Sequence, residues 1–268
     1  MSLAEKLPYY HPFAQGFPGI GSQRVPVDSD ILSFANASGA IQVVDLVKLE
    51  NLVAYLKSQS LWDYARFYPM KSAQNAGSGS TVYGLGGLTS NNMTLVNSPT
   101  WGSDGVTFDA ASSQEGSIPD FLSNGDLAVF WRGSHTATTF AYARQFGSSG
   151  NRSFLMRHIN RLYQTLRSAN GAAFELYQTS AANSLLSDAT RVMELYDLEP
   201  PAVFENNTEK TLAEIVANPQ ERFNSTADVR ICSDETTFMT GTAVCAGFIE
   251  TALTTTQREA ITDLINAL

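Results

Sequence analysis

Apolar residues change their spacing several times along this chain. Between Asp45 and Met70 they recur at three- and four-residue intervals, with Leu46, Leu49, Leu52, Val53 and Leu56 forming the stripe of an amphipathic helix. Asp45 can cap its start, Ser60 can cap a second short helix through Trp62, Tyr64 and Phe67, and Pro69 stops it. From residue 82 short apolar runs alternate with turn residues, which is the spacing of strands in a sandwich. The runs fall at 82–85, 93–95, 101–109, 127–132, 140–143, 154–166 in two strands across a loop at Asn160, 192–197 and 202–207. Within 101–109, Asp104-Gly105 reads as a two-residue hairpin turn. The last forty residues give a strand from Asp228, an apolar strand between Gly241 and Ile249, and a helix. Helix initiation is written twice there, as Thr254-x-x-Gln257 and Thr256-x-x-Glu259. Behind it Ala260, Ile261, Leu264, Ile265 and Leu268 form a stripe that must lie on something, a sheet face being the natural partner.

Before Asp45 the pattern is different. Pro8, Pro12, Pro18 and Pro26, with Gly16, Gly19 and Gly21, forbid a long helix or a central strand, while Tyr9, Tyr10, Phe13, Phe17, Ile20 and Phe34 are too apolar for a solvated tail. An extended arm that packs on a surface fits both facts, either as a strap across its own domain or as a grip on a neighbouring subunit. The organisation is therefore an extended N-terminal arm over 1–45, a helical segment over 46–70, a Ser/Gly/Asn linker over 71–80, and a β-sandwich domain over 81–268.

Composition narrows the function classes. A chain of 268 residues with 43% hydrophobic residues can bury a substantial core, and no apolar run approaches the roughly 18 residues of a membrane span. The first ten residues have no apolar stretch after their charge, so no secretory signal is read there. A formal charge of −9 argues against tracking a phosphate backbone, so nucleic acid and membrane are not expected partners. Cys232 and Cys245 lie on two late strands without a nearby His, which is no zinc signature; they are buried thiols or a disulfide.

Several stretches resemble the concanavalin A-like lectin domains of the laminin-G type, in the form found in tailed-phage virion proteins. Leu95 to Trp101 and Gly105 to Asp109 match that family's opening, which begins with a Tyr-x-Leu-x-Gly string. The run from Val192 to Asn207 resembles its hairpin, with Asn207 where the family has Gly. Asp228 to Leu268, with Gly241, Gly247, Leu253, Thr254 and Gln257, resembles its closing segment. The likeness covers about Val82 to Leu268. It implies a mainly β, concanavalin A-like jelly-roll β-sandwich.

Candidate chemistry is sparse. Laminarinase-type glycoside hydrolases of that fold carry Glu-x-Asp-x-Glu, with carboxylates ~5–5.5 Å apart. This chain has Glu194-Leu-Tyr-Asp197-Leu-Glu199, which would put Glu194 and Asp197 on opposite strand faces, and Pro200-Pro201 then ends the strand. His11, His135 and His158 lie in no nucleophile elbow; His135 reads as a turn residue in Gly-Ser-His-Thr and His158 as a sheet residue. Asp104, Asp109, Asp120 and Asp126 sit near strand ends, where lectin-type jelly rolls hold calcium, but no EF-hand string occurs and no ligands are assigned. Trp101, Trp131, Tyr83 and Tyr163 are available for stacking on sugars, each being first a core residue in a strand. Asn36, Asn92, Asn151, Asn206 and Asn224 fit the glycosylation acceptor pattern.

The sequence reading is thus a non-enzymatic structural protein of a phage virion, a fibre, tail-tip or capsid-surface component. It implies attachment to other virion proteins through the arm, a homo-oligomer that is trimeric by analogy, and contact with host surface glycans. No cofactor, metal or catalytic residue is assigned. The alternatives are a non-viral carbohydrate-binding or adhesive module and a divergent glycoside hydrolase.

Overall fold

A computed structural model describes residues 28–40, 43–88, 91–119, 122, 125–135, 139–146, 151–159, 162–168, 174–179, 188–196, 200–216, 228–233 and 238–268. In chain order these form helices α1 (Ser29–Ser38) and α2 (Val43–Ser58), a 3-10 turn at Trp62–Tyr64, strands β1 (Ala65–Pro69), β2 (Thr81–Val82), β3 (Met93–Val96), β4 (Thr100–Trp101), β5 (Val106–Phe108) and β6 (Glu115–Ile118). Strands β7 (Leu127–His135), β8 (Thr139–Phe146), β9 (Asn151–Ile159), β10 (Leu162–Ser168), β11 (Phe174–Thr179), β12 (Ala189–Leu195), β13 (Ala202–Glu205) and β14 (Thr208–Lys210) follow. The chain then adds β15 (Leu212–Val216), β16 (Val229–Ile231), β17 (Gly241–Ile249) and helix α3 (Thr255–Ala267).

Among the described residues the strands build two antiparallel sheets. The first has the order β14-β13-β12-β7-β17-β5-β4, with β1 continuing beside β17; the second runs β15-β11-β10-β9-β8-β16-β6-β3-β2. Period-two alternation decides which side chains each layer receives. On β7, Leu127, Val129 and Trp131 point into the core between the sheets, while Ala128 and Phe130 point out. That outer face is not solvated: Phe67, Ala128, Phe130, Val192, Phe204 and Ile249 pack against Ile31 and Phe34 of α1, Leu46, Leu49, Leu52, Val53 and Leu56 of α2, and Ile261 and Ile265 of α3. The first sheet is therefore the middle of three layers, and both its faces are apolar, which is why β7 reads as an unbroken hydrophobic run. Each α2 leucine so buried contributes ~1.5–3 kcal/mol relative to exposure. The helical layer is thus part of the domain core.

The structure departs from the sequence reading at its N-terminal end. Residues 29–38 of the expected arm are helical, starting three residues beyond Pro26, with Asp28 as N-cap accepting from the Asp30 amide at 2.9 Å and Gly39 closing the helix at φ 78°. The remainder of the arm, residues 1–27, lies outside the described residues. Asp45 is in the first turn of α2 and not its cap, since the helix already begins at Val43. The second helix expected through Phe67 is a single 3-10 turn, after which Ala65–Pro69 pairs with β17 from Ala65↔Ile249 to Pro69↔Cys245. Pro69 is tolerated as the last residue of that strand, where the Met70 amide takes over by donating to the Val244 carbonyl at 2.8 Å.

Two turns also differ from expectation. Gly102 and Gly105 exchange backbone hydrogen bonds, so the loop residues are Ser103-Asp104. Gly105 is required instead by contact: at φ 139° its Cβ would stand 2.2 Å from the Ala243 carbonyl oxygen. His135 is the last residue of β7 and buried, not in a turn, because Gly133 is a strand glycine whose Cβ would meet the Thr242 carbonyl at 2.2 Å, beside the bulge between Ala243 and Cys245. By contrast Asn206-Asn207 forms the hairpin turn between β13 and β14 with φ of 45° and 63°, the geometry for which Asn substitutes for Gly. At the C-terminal end the capping box forms on Thr254 and Gln257.

Candidate functional site

The helical layer and the sheet edge leave a cleft of about 340 Å³ between them. One wall is α1, which presents Asp30, Ser33, Phe34 and Ala37, the i, i+3, i+4, i+7 face of a helix. The opposite wall is the strip Tyr83-Gly84-Leu85-Gly86, and Trp62, Arg66 and Asn92 complete the lining.

The glycines let this strip lie directly on β1. Phe67 and Leu85 exchange two backbone hydrogen bonds of 2.7 Å, and the Gly87 amide donates to the Trp62 carbonyl at 3.1 Å. Gly86 has φ 150° and would set a Cβ 2.0 Å from the Ala65 carbonyl oxygen. At Gly84 the vacant side-chain position is filled by Arg66, whose Nε would be 2.3 Å from a Cβ there and whose Nη1 donates to the Gly86 carbonyl at 3.0 Å. Asn75 anchors the root of the strip: its amide group donates to the Pro69 and Tyr83 carbonyls and its oxygen accepts from the Tyr83 amide. The linker over 71–80 is accordingly tied to the domain at Asn75.

The α1 wall is held by a charge cluster. Lys57, in the last turn of α2, bonds Asp28 at 2.8 Å and Asp30 at 2.5 Å, and its ammonium lies 5.1 Å from the centre of the Trp62 ring. Burial works against both charges, but the hydrogen bonds win: the Asp28 carboxyl is held below its ordinary value by Lys57 and the Asp30 amide, and the Lys57 ammonium is raised by Asp28 and Asp30. Asn92 accepts from the Gly84 amide at 3.1 Å, which leaves its NH2 group facing away from the strip.

The other residues singled out by sequence go elsewhere. Trp131 is fully buried between the sheets with Arg191 over its ring at 5.2 Å, and Arg191 lies 3.4 Å from Glu205, which also pairs with Lys210 at 3.0 Å. Trp101 is half-buried and donates its indole N–H to the Gly79 carbonyl. Of the four stacking candidates, Tyr83 reaches the cleft, and the Tyr163 side chain lies outside the described residues. Glu194 is buried against α3, 3.6 Å from Arg258, whose guanidinium in turn sits 3.6 Å over the Phe204 ring. Burial raises the Glu194 carboxyl above its ordinary range despite Arg258. Asp197, Glu199, His11 and Asp120 lie outside the described residues, as does the side chain of His158.

Asp109 caps a 3-10 turn through the Ala111 amide and the Ser112 hydroxyl, and among the described residues no three His, Cys, Asp or Glu side chains gather as a metal cluster. Cys232 and Cys245 are both free thiols, one in the core between the sheets and the other under the helices. Sheet one separates them, so they cannot bridge.

No protein-family model matches the chain, and no curated protein matches it in sequence. Solved structures do. A Trypanosoma rangeli sialidase in complex with sialic acid superimposes with TM-score 0.54 at 11% identity over 83% of this chain and 40% of that one. A mutant of the same sialidase displaying trans-sialidase activity gives 0.55 at 12% over 82% and 39%. The ligand binding domain of botulinum neurotoxin serotype D, in complex with N-acetylneuraminic acid, gives 0.54 at 8% over 76% and 52%. The likeness is one of fold. The chain spans about two-fifths to half the length of these proteins. They bear out the expected lectin-like β-sandwich, and they lend no support to a phage virion.

Trp62, Arg66 and the α1 face were not legible as a site from sequence. The available signals were the 30/33/34/37 spacing and the Tyr-Gly-Leu-Gly-Gly run from Tyr83 to Gly87, which needs a backbone packed close on its other side.

Proposed function

We propose that the chain is a carbohydrate-binding or adhesive module whose ligand occupies the cleft between α1 and the strip beside β1. The observation that carries this is the lining: Trp62, Tyr83 and Phe34 supply aromatic surface, and Ser33, Asn92 and Asp30 supply hydrogen-bonding groups at its edges. A sugar ring has an apolar C–H face and a rim of hydroxyls, and it is served by that combination of rings and convergent polar groups. The sandwiches that superimpose on this one include proteins in complex with sialic acid and N-acetylneuraminic acid. Those ligands belong to those proteins and make sugars the first class to try here.

The reading is of binding without hydrolysis. Glu194, the carboxylate of the partial glycosidase string that falls among the described residues, is taken up by Arg258 beneath α3 and does not line the cleft. Attachment within a virion through residues 1–45 ranks behind this reading, because residues 30–37 of that segment form a wall of the cleft. A panel of immobilised glycans probed with the full chain is the test. Retention on a subset of glycans, reduced at least tenfold in Tyr83→Ala and Asn92→Ala variants of unchanged circular dichroism, supports it. Absence of retention on every glycan sinks it.

A further inference from the structure

The cleft's charges decide which sugars it can take, an inference that rests on the proposed carbohydrate function. We infer that the cleft selects a neutral mono- or disaccharide and discriminates against carboxylated or sulfated sugars. Of its lining residues two carry formal charge, Asp30 and Arg66. Arg66 is engaged by the protein, its Nη1 donating to the Gly86 carbonyl and its Nε and Nη2 packed where a Gly84 side chain would stand. An anionic sugar reaching for the bidentate contact by which Arg recognises carboxylates would have to compete with that bond and with the packing of Nε and Nη2 on Gly84.

Asp30 pushes the same way. One of its oxygens is held by Lys57 at 2.5 Å, and the same ammonium is shared with Asp28, so two carboxylates are balanced by one cation at this wall. The wall keeps a net negative charge. A carboxylate facing the cleft accepts hydroxyl hydrogens, worth ~1.5–3 kcal/mol for a bond to a charged group, and repels an anion approaching from the same side. The NH2 group of Asn92 and the Ser33 hydroxyl are neutral donors, suited to ring and hydroxyl oxygens. The protein's overall charge of −9 adds an unfavourable long-range field for anions. Size agrees with a short ligand, since about 340 Å³ is near the floor of the ~300–1,000 Å³ range of small-molecule pockets.

The experiment is calorimetric titration of the full chain, at low and at physiological salt, with two sets of probes. The neutral set is the methyl glycosides of glucose, galactose, mannose and N-acetylglucosamine and their common disaccharides. The anionic set is N-acetylneuraminic acid, glucuronic acid and galactose 6-sulfate. The expected result is binding of at least one neutral sugar, changed less than twofold by salt and weakened at least tenfold in Tyr83→Ala. Asn92→Ala, an exposed position, serves as a second variant should Tyr83→Ala misfold. Tighter binding of an anionic sugar, weakening as salt is added and lost in the same variants, overturns the selectivity while leaving the carbohydrate function in place. Neutral-sugar binding untouched by both variants overturns the placement in this cleft. Binding of neither set overturns the selectivity and the function together.

Discussion

Two glycines of the cleft wall, two residues apart, respond in opposite ways to the same added methyl group. At Gly86 a Cβ would lie 2.0 Å from the Ala65 carbonyl oxygen and 2.8 Å from the Arg66 Cα, both backbone atoms, at φ 150°. The methyl can be accommodated in place, with ~1–3 kcal/mol of strain at a φ that only glycine adopts freely and ~1–3 kcal/mol of overpacking. Otherwise the strip lifts off β1 and gives up the paired 2.7 Å bonds between Phe67 and Leu85, at ~1 kcal/mol each. Gly86→Ala therefore costs about 2–6 kcal/mol by the first route. At Gly84 the obstacle is the far end of a flexible side chain, the Arg66 Nε at 2.3 Å. Arg66 can swing away, losing its bond to the Gly86 carbonyl; because the residue is only half-buried, water reaches the displaced side chain and replaces part of that loss. The lower chain entropy of Ala in the unfolded state returns ~0.4–1 kcal/mol. Gly84→Ala should thus stay within about 1 kcal/mol of the parent. Urea unfolding followed by circular dichroism reads both, as midpoint shifts at unchanged slope. Equal shifts for the two variants, or a Gly86→Ala midpoint indistinguishable from the parent, would refute the close packing of this strip on β1.

Further expectations follow from the charges and thiols. Burial, opposed by Arg258, raises the Glu194 carboxyl above 4.5, so the folded state holds that proton more tightly than the unfolded one. The contribution is greatest below 4.5 and lost as pH rises through the folded value, so thermal melts at pH 4.5 and 7.5 should show Glu194→Gln gaining on the parent as pH rises. Asp28 is depressed below 3.8, so its contribution is full above that value and lost as pH falls through the folded one. Asn caps a helix about as well as Asp, so Asp28→Asn removes chiefly the ion pair, ~1 kcal/mol or less. It should also flatten the acid dependence of Trp62 fluorescence, since the Lys57 ammonium that Asp28 holds lies 5.1 Å from the Trp62 ring centre; an unchanged acid transition in the variant speaks against the clamp. Burial pushes the Cys245 thiol up to about 12 and raises Cys232 as well, so Ellman's reagent should find no reactive thiol in native protein and two in urea. A native thiol count above zero contradicts that placement.

The sandwich was legible where local and tertiary signals agree. Residues 127–131 are apolar on both strand faces because both are covered, and α3 carries its capping box in sequence. Ala65–Pro69 was misread as helical because nothing local marks it: its strand state is imposed by β17, nearly 180 residues away. Helix α1 was hidden behind four prolines that all precede its cap. The cleft was illegible for a related reason. Its residues come from α1, the 3-10 turn, β1 and the 83–92 stretch, and only the packing of the helical layer on the outer face of sheet one brings them together. Tyr83 was a stacking candidate by residue type alone, whereas Trp62 looked like one more apolar residue of a helical stripe.

Placement of the ligand in the cleft is tested most directly by a map of backbone amide shifts in the isotope-labelled full chain as a neutral sugar is added. Saturable perturbations are expected to concentrate at residues 30–37, 62–66, 83–86 and 92, with the amides of Gly84 and Gly86 among the largest. Perturbations centred on the second sheet, with the cleft amides unmoved, would contradict that placement.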